Sequence, residues 1–133
     1  GTVMRLAGKV AEGDVLVITG DRVPVSDRSE VVLAPFFGAP AAFPAGPWIL
    51  ASVLHVPVFL MWAVADGGGF RTRFERFRDR IDLPRRGRQQ ALAPVLADFA
   101  ARLEAQVREK PLQWFNFFDF WALPETLPDD EHV

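Results

Sequence analysis

The fold is decided by the stretch PVFLMWAVADGGGFRTRFERF, residues 57–77. Its first nine residues are apolar throughout, which is typical of a strand covered on both faces. The next four, Asp66-Gly67-Gly68-Gly69, are a strong hairpin-turn signal. After the turn the side chains alternate between an apolar-rich face and a charged face: Phe70, Thr72 and Phe74 against Arg71, Arg73 and Glu75. We therefore predict a strand over residues 57–65 that pairs antiparallel with a strand over 70–77.

Two further apolar runs upstream, residues 15–19 and 31–37, have the composition of buried strands. Helical spacing of apolar residues predicts a helix over residues 3–12. A second helix is predicted at about 47–55, with Pro47 in its first turn. The order strand, loop, strand, helix, strand predicts a mixed α/β fold with a mostly parallel sheet, flanking helices and the β-hairpin.

A long helix is predicted from about residue 89 or 93 to 109, ended by Pro111. Its apolar stripe consists of residues at helical spacing: Leu92, Val95, Leu96, Phe99, Leu103 and Val107. The aromatic run WFNFFDFW, residues 114–121, follows directly, and its consecutive rings cannot all lie on one face. We expect most of it to lock the helix onto the sheet, with Asn116 and Asp119 hydrogen-bonded. Any exposed aromatics should mark a membrane contact or a missing part of the protein.

The composition of the 133 residues allows one domain, placed at residues 1–122, and predicts a disordered acidic tail at 123–133. A net charge of −2 argues against a nucleic-acid partner. Because cysteine is absent, disulfides, thiolate metal sites and a cysteine nucleophile are excluded. With only His55 and His132, a His-rich metal site and a His-dependent triad are excluded too, and we expect no metal or cofactor. His55 is expected in the core or an interface rather than as a catalytic base.

Residues 31–65 form a run of 35 positions without Asp, Glu, Lys or Arg. A transmembrane helix needs about 20 apolar residues without interruption. Prolines interrupt this run five times, and Pro57 would break a helix over residues 48–65. We therefore predict a short buried helix followed by a buried strand. The chain opens with Gly-Thr-Val-Met, which lacks the basic segment of a signal peptide, and we expect it to be a piece of a longer protein.

Two groups of charged residues are candidate binding sites. Gly20-Asp21-Arg22 leaves the carboxyl end of a predicted strand, where ligands bind in α/β sheets, and an arginine there can hold a phosphate or carboxylate. A salt bridge within the loop is the alternative. Residues 71–88 hold eight arginines and three acids, which favours contact with anionic lipid headgroups or a phosphorylated carrier. A solvated surface is the alternative there.

The order of several motifs resembles that of a known enzyme family. The motifs are Gly13-Asp14-Val15, Gly20-Asp21-Arg22-Val23-Pro24, Phe36-Phe37-Gly38-Ala39-Pro40, Phe43-Pro44-Ala45-Gly46-Pro47, Pro57-Val58 and the run from Gln113 to Trp121. Over about residues 5–122 this order is similar to the C-terminal half of bacterial acyltransferases of the lysophospholipid acyltransferase superfamily, near the lipid A late acyltransferases. The ordered set with its aromatic ending is more specific than any single motif.

The resemblance implies an enzyme that moves a fatty acyl group from acyl-carrier protein or coenzyme A to a lipid or lipid-like acceptor. It implies a cytoplasmic protein, peripheral on the inner membrane. The residues expected to bind substrate are Gly20, Asp21, Arg22, Gly46 and Pro57, and those expected to contact the membrane or the carrier are Arg71, Arg73, Arg85 and Arg86.

The catalytic motif of this family, a histidine followed five positions later by Asp or Glu, is absent from this chain. His55 does not supply it, because the position five later is Leu60. We therefore expect no catalytic residue here, an inactive chain when alone, and a base supplied by a missing N-terminal half. The alternative is a non-catalytic module that binds a lipid, a glycan or a partner protein.

Overall fold

The computed structural model describes residues 1–22, 30–114, 116 and 119–123, which form three helices and four strands. In chain order the elements are α1 (Thr2–Ala11), β1 (Val31–Phe36), β2 (Ala39–Pro44), α2 (Gly46–Leu54), β3 (Val58–Asp66), β4 (Gly69–Arg78) and α3 (Arg88–Glu109), followed by a 3-10 turn, Pro111–Gln113. Within these ranges no helix is long and apolar enough to cross a membrane. Apart from Leu123, the tail predicted to be disordered lies outside the described residues, as does His132.

The strands β1 and β2 form an antiparallel hairpin closed by the two-residue turn Phe37-Gly38. Both turn residues have positive φ, 51° and 83°, as a type I′ turn requires. Outward from such a turn, pairs alternate between hydrogen-bonded and non-hydrogen-bonded positions, beginning with a hydrogen-bonded pair. Pro35, Pro40 and Pro44 all fall at non-hydrogen-bonded positions, where a missing N–H costs no ladder bond. A proline-rich segment can therefore still form this hairpin.

The strands β3 and β4 form the antiparallel hairpin that the sequence predicts over residues 57–77, but the prediction that the first strand is buried on both faces is wrong, since Phe59 and Met61 are about half exposed. Its type I′ turn is Gly67-Gly68, with φ of 56° and 89°. Residues directly opposite each other share a face. The inner face, toward α3, carries Leu60, Trp62, Val64, Arg71, Arg73 and Glu75, and the outer face carries Phe59, Met61, Ala63, Ala65, Phe70, Thr72, Phe74 and Arg76.

The mixed α/β class is confirmed, but the mostly parallel sheet is wrong. The four strands form two separate two-stranded antiparallel sheets. Residues 15–19, predicted as a buried strand, lie outside any strand, and Val15 is 85% exposed. Residues 39–44, for which no strand was predicted, form β2. The physical reason is the tight turn at Phe37-Gly38, which returns the chain directly against β1, whereas a parallel neighbour would need a longer crossover.

The core lies between the first hairpin and α3. The predicted stripe of α3 is confirmed, and its buried residues are Leu92, Leu96, Phe99, Ala100, Leu103 and Val107. Phe36 is fully buried, and its ring centroid lies 5.1–5.9 Å from those of Phe43, Trp114, Phe120 and Trp121. These described rings of the C-terminal run therefore pack against the first hairpin, beside α3.

Polar groups of the C-terminal run help to fix this packing. Trp121 donates its Nε1–H to the Phe36 carbonyl oxygen at 2.9 Å. Asp119 accepts a hydrogen bond from the Trp121 amide at 3.0 Å, as predicted. The backbone amide of Asn116 donates to the Trp114 carbonyl oxygen at 3.0 Å. The run thus covers the backbone as well as the side chains of β1.

Candidate functional site

The Gly20-Asp21-Arg22 motif lies beside the start of α2. A β-carbon built on Gly20 would come 3.9 Å from Pro47 Cγ, and Pro47 lies in the first turn of the helix. The structure therefore brings Gly20, with the adjoining Asp21 and Arg22, close to the first turn of α2, which contains Gly46. This proximity is to a helix and not to the end of a strand. The preceding residues 15–19 do not form the strand from which the site was predicted.

Asp21 and Arg22 form an ion pair at this place, with 3.1 Å between Oδ2 and Nε. Their side chains are 36% and 35% exposed, so both reach solvent. The Arg22 guanidinium offers positive charge and N–H donors two residues after Gly20, which approaches the first turn of α2. Such an arrangement suits a phosphate, a carboxylate or the polarised oxygen of a lipid headgroup. The local salt bridge that was the alternative interpretation is present as well.

Pro57, the fifth residue predicted to bind substrate, lies at the opposite end of α2. The helix ends at Leu54, His55 follows in the left-handed conformation with φ of 54°, and β3 begins at Val58. The nine helical residues span about 13 Å. Pro57 therefore does not join the residues at the start of α2. In this structure it separates the helix from the strand.

His55 is exposed, contrary to the core position that was one of the two expected for it. Its Nδ1 lies 3.0 Å from Nη2 of Arg80. Because a guanidinium has only donors, Nδ1 is the acceptor in this contact. Arg80 in turn pairs with Asp82 at 2.8 Å. The histidine therefore belongs to a surface contact that includes an acid, away from the start of α2.

The four arginines predicted to contact a membrane or a carrier fall into two separate pairs. Arg71 and Arg73 lie near the turn of the second hairpin, whereas Arg85 and Arg86 lie just before α3. The strand from Arg71 to Arg78 alone covers about 23 Å. Arg71 pairs with Asp66 at 2.8 Å. The long hairpin explains the separation, because sequence proximity says little about distance along an extended strand.

A half-buried ionic network, which the sequence reading missed, joins β4 to α3. Arg78 and Arg102 contact the two carboxylate oxygens of Asp98 at 2.8 and 3.1 Å. Burial of the Asp98 carboxyl opposes its ionisation, but hydrogen bonds and charge from both arginines outweigh burial and lower its pKa. Both guanidinium groups also lie over the Phe77 ring, at 4.3 and 4.8 Å. The spacing of four between Asp98 and Arg102 was the available sequence signal.

The described part of the chain shows no metal site. No three His, Cys, Asp or Glu side chains of the described ranges come together as ligands. A shallow apolar groove of about 240 Å³ lies on the first hairpin, lined by Leu33, Ala34, Pro35, Gly38, Ala39 and Pro40. It is smaller than a typical ligand pocket and contains no charged side chain.

Comparison with known proteins identifies no relative of this chain. No protein-family model, no curated protein and no solved structure matches it. The resemblance to acyltransferases thus rests on the order of the motifs within the sequence.

Proposed function

We propose that this chain is the C-terminal portion of a membrane-associated acyltransferase at the cytoplasmic surface of the inner membrane. The enzyme moves a fatty acyl group from the thioester of acyl-carrier protein or coenzyme A to a lipid or lipid-like acceptor. For a hydroxyl acceptor, the oxygen attacks the thioester carbonyl carbon, the C–S bond breaks, and the hydroxyl proton ends on the carrier thiol. The products are an ester and the free thiol.

The observation that carries the proposal is the approach of Gly20 to Pro47. The resemblance assigns Gly20-Asp21-Arg22 and Gly46 to one acceptor site, although the two motifs are far apart in the sequence. A β-carbon built on Gly20 would lie 3.9 Å from Pro47 Cγ, and the side chains of Asp21 and Arg22 reach solvent, which supports this assignment. In the proposed site Arg22 binds the polar headgroup of the acceptor, and Asp21 orients the guanidinium. The base that takes the acceptor proton lies outside this chain.

The test is acyl transfer by the full-length protein that contains this chain, with Asp21→Asn and Arg22→Gln as variants. Loss of a charged hydrogen bond to the acceptor should lower kcat/KM for the acceptor by about 10- to 100-fold. The KM for the acyl donor should stay unchanged. Arg108→Gln is the matched control, because Arg108 also pairs with a neighbouring carboxylate, that of Glu104, and is exposed on α3. Full activity in both site variants would remove Asp21 and Arg22 from the site.

A second candidate function is a non-catalytic lipid-binding module. The observation that favours it is the exposed apolar outer face of the β3–β4 hairpin, which does not depend on Asp21 or Arg22. The coding sequence upstream of Gly1 discriminates between the two candidates. A histidine followed five positions later by Asp or Glu supports the acyltransferase. A complete gene without this motif supports the module.

A further inference from the structure

The outer face of the β3–β4 hairpin is a continuous apolar surface that the core does not use. Phe70 and Phe74 are 82% and 66% exposed, and Phe59 and Met61 are about half exposed. The core covers the other face instead, where Leu60 is buried and Trp62 stacks against Phe99 at 6.4 Å. Large rings in water are unfavourable, so this face is a candidate contact surface.

Positive charge borders this outer face. Its only charged residue is Arg76, whose guanidinium lies 5.9 Å from the Phe59 ring centroid and pairs with the exposed carboxylate of Asp79 at 2.5 Å. Arg71 and Arg73 lie on the inner face near the turn, where both faces of the hairpin are exposed. Within the described ranges Arg73 has no acidic partner, whereas Arg71 pairs with Asp66. No carboxylate of either strand points from the outer face.

The 3-10 turn after α3 adds a further apolar residue at the same end of the hairpin. The Gln113 side chain accepts a hydrogen bond from the Ala65 amide at 2.8 Å and donates one to the Ala65 carbonyl at 3.0 Å. Ala65 lies opposite Phe70 in the ladder. The neighbouring Leu112 is 92% exposed. Leu112 and Phe70 thus lie at one end of the hairpin, beside the arginines near the turn.

The size of the outer face argues against a second protein copy as its occupant. The exposed parts of Phe59, Met61, Phe70 and Phe74 together offer about 500 Å² of accessible apolar surface. A stable protein interface needs about 800 Å² on each partner. A bilayer surface has no such minimum, because a few inserted rings combine with the attraction of each basic residue to anionic headgroups.

We propose that the outer face of the β3–β4 hairpin docks on an anionic lipid bilayer, with Phe70 and Phe74 inserted below the headgroups and Arg76, which lies on the same face, bound to phosphates. This inference rests on the peripheral membrane location in the proposed function but not on acyl transfer. A chain that binds bilayers through this face and transfers no acyl group therefore supports the inference while the catalytic proposal fails.

Flotation of the full chain with vesicles tests the proposal. Vesicles of phosphatidylcholine alone are compared with an equal mixture of phosphatidylcholine and phosphatidylglycerol. The chain should float with the anionic mixture and remain unbound with phosphatidylcholine alone. The double variant Phe70→Ser with Phe74→Ser should lower the partition coefficient by about tenfold or more. Arg76→Gln should lower it by about fivefold.

Matched controls lie on α1, which also exposes an apolar residue and an arginine. Met4→Ser and Arg5→Gln should leave vesicle binding unchanged, since Met4 and Arg5 lie outside the hairpin. Thermal unfolding followed by circular dichroism verifies that every variant is folded. Three results would overturn the proposal: no binding to the anionic vesicles, equal loss in the α1 variants, or a stable dimer in sedimentation that the double serine variant dissociates.

Discussion

The two hairpins have the same local design and different surroundings. Each is closed by a two-residue type I′ turn, Phe37-Gly38 in the first and Gly67-Gly68 in the second. At the first turn, the Phe37 amide donates to the Glu104 carboxylate, and Arg108 lies 4.8 Å over the Phe37 ring. At the second turn, the five residues from Asp66 to Phe70 are all exposed. The first hairpin is therefore held by α3 along its length, and the second projects beyond it.

The difference comes from the side chains that alternate along the strands. The first hairpin presents an apolar face without charges, buried at Val32, Ala34, Phe36, Ala41 and Phe43. The inner face of the second hairpin changes from Leu60 and Trp62 near the core to arginines near the turn. Burying those arginines without partners would be costly, so the core ends where they begin. The turn residues determine that a hairpin forms, and the alternation of apolar and charged side chains along its strands determines how much of it is buried.

Removing the central ring of the first hairpin should have the largest effect on stability. Phe36→Ala deletes a fully buried side chain in contact with five other rings and should lower the free energy of unfolding by about 3–5 kcal/mol. Phe74→Ala, the same change on the exposed face of the second hairpin, should stay within about 0.5 kcal/mol. Urea unfolding of both variants is the measurement. Similar losses would show that the two hairpins are equally buried.

Matched changes at the two turns should have a smaller effect. Gly38 and Gly68 have φ of 83° and 89°, where a β-carbon is strained. Gly38→Ala should cost about 1–2 kcal/mol of global stability, because its turn is tied to α3. Gly68→Ala should cost less, since the projecting end can open locally without exposing the core. Denaturant unfolding measures the free energy of unfolding of both variants. A loss of stability in Gly68→Ala equal to or greater than that in Gly38→Ala would contradict the difference between the two hairpins.

The ionic network that ties β4 to α3 should show the smallest effect, together with a pH dependence. Asp98→Asn should lower stability by less than about 1 kcal/mol, because the carboxylate is one-third exposed. The pKa of Asp98 is lowered in the folded state, so its contribution is full above the unfolded pKa of about 3.9 and is lost as pH falls through the folded value. The stability difference between wild type and variant should therefore shrink in acid. A difference that grows in acid would reverse the assigned sign.

Much of the fold could be predicted from local signals. The turn residues after Asp66 and the apolar stripe of α3 each specify their element directly. The strand β2 was missed because Pro40 and Pro44 look like strand breakers, and only the register shows that their missing amides are not needed. The mostly parallel sheet was wrong because residues 15–19 have strand composition, whereas pairing depends on distant partners that no local pattern contains.

The candidate site was less accessible to sequence reasoning. Gly20 and Gly46 could be placed together only through the resemblance, since their proximity depends on how the chain returns to α2. The strand-end argument for Asp21 and Arg22 was wrong, because residues 15–19 form no strand. Sequence proximity also suggested one patch from Arg71 to Arg86, and the length of β4 separates its two ends.

Hydrogen exchange with and without anionic vesicles tests the contrast between the two hairpins most directly. The ladder amides of β1 and β2 should exchange slowly in both conditions, because α3 and the aromatic run cover this hairpin. Amides in residues 64–74 should exchange fast in buffer and become protected on vesicles that contain phosphatidylglycerol. Equal protection of both hairpins in buffer, or vesicles that protect α1 and leave residues 64–74 unchanged, would contradict the account.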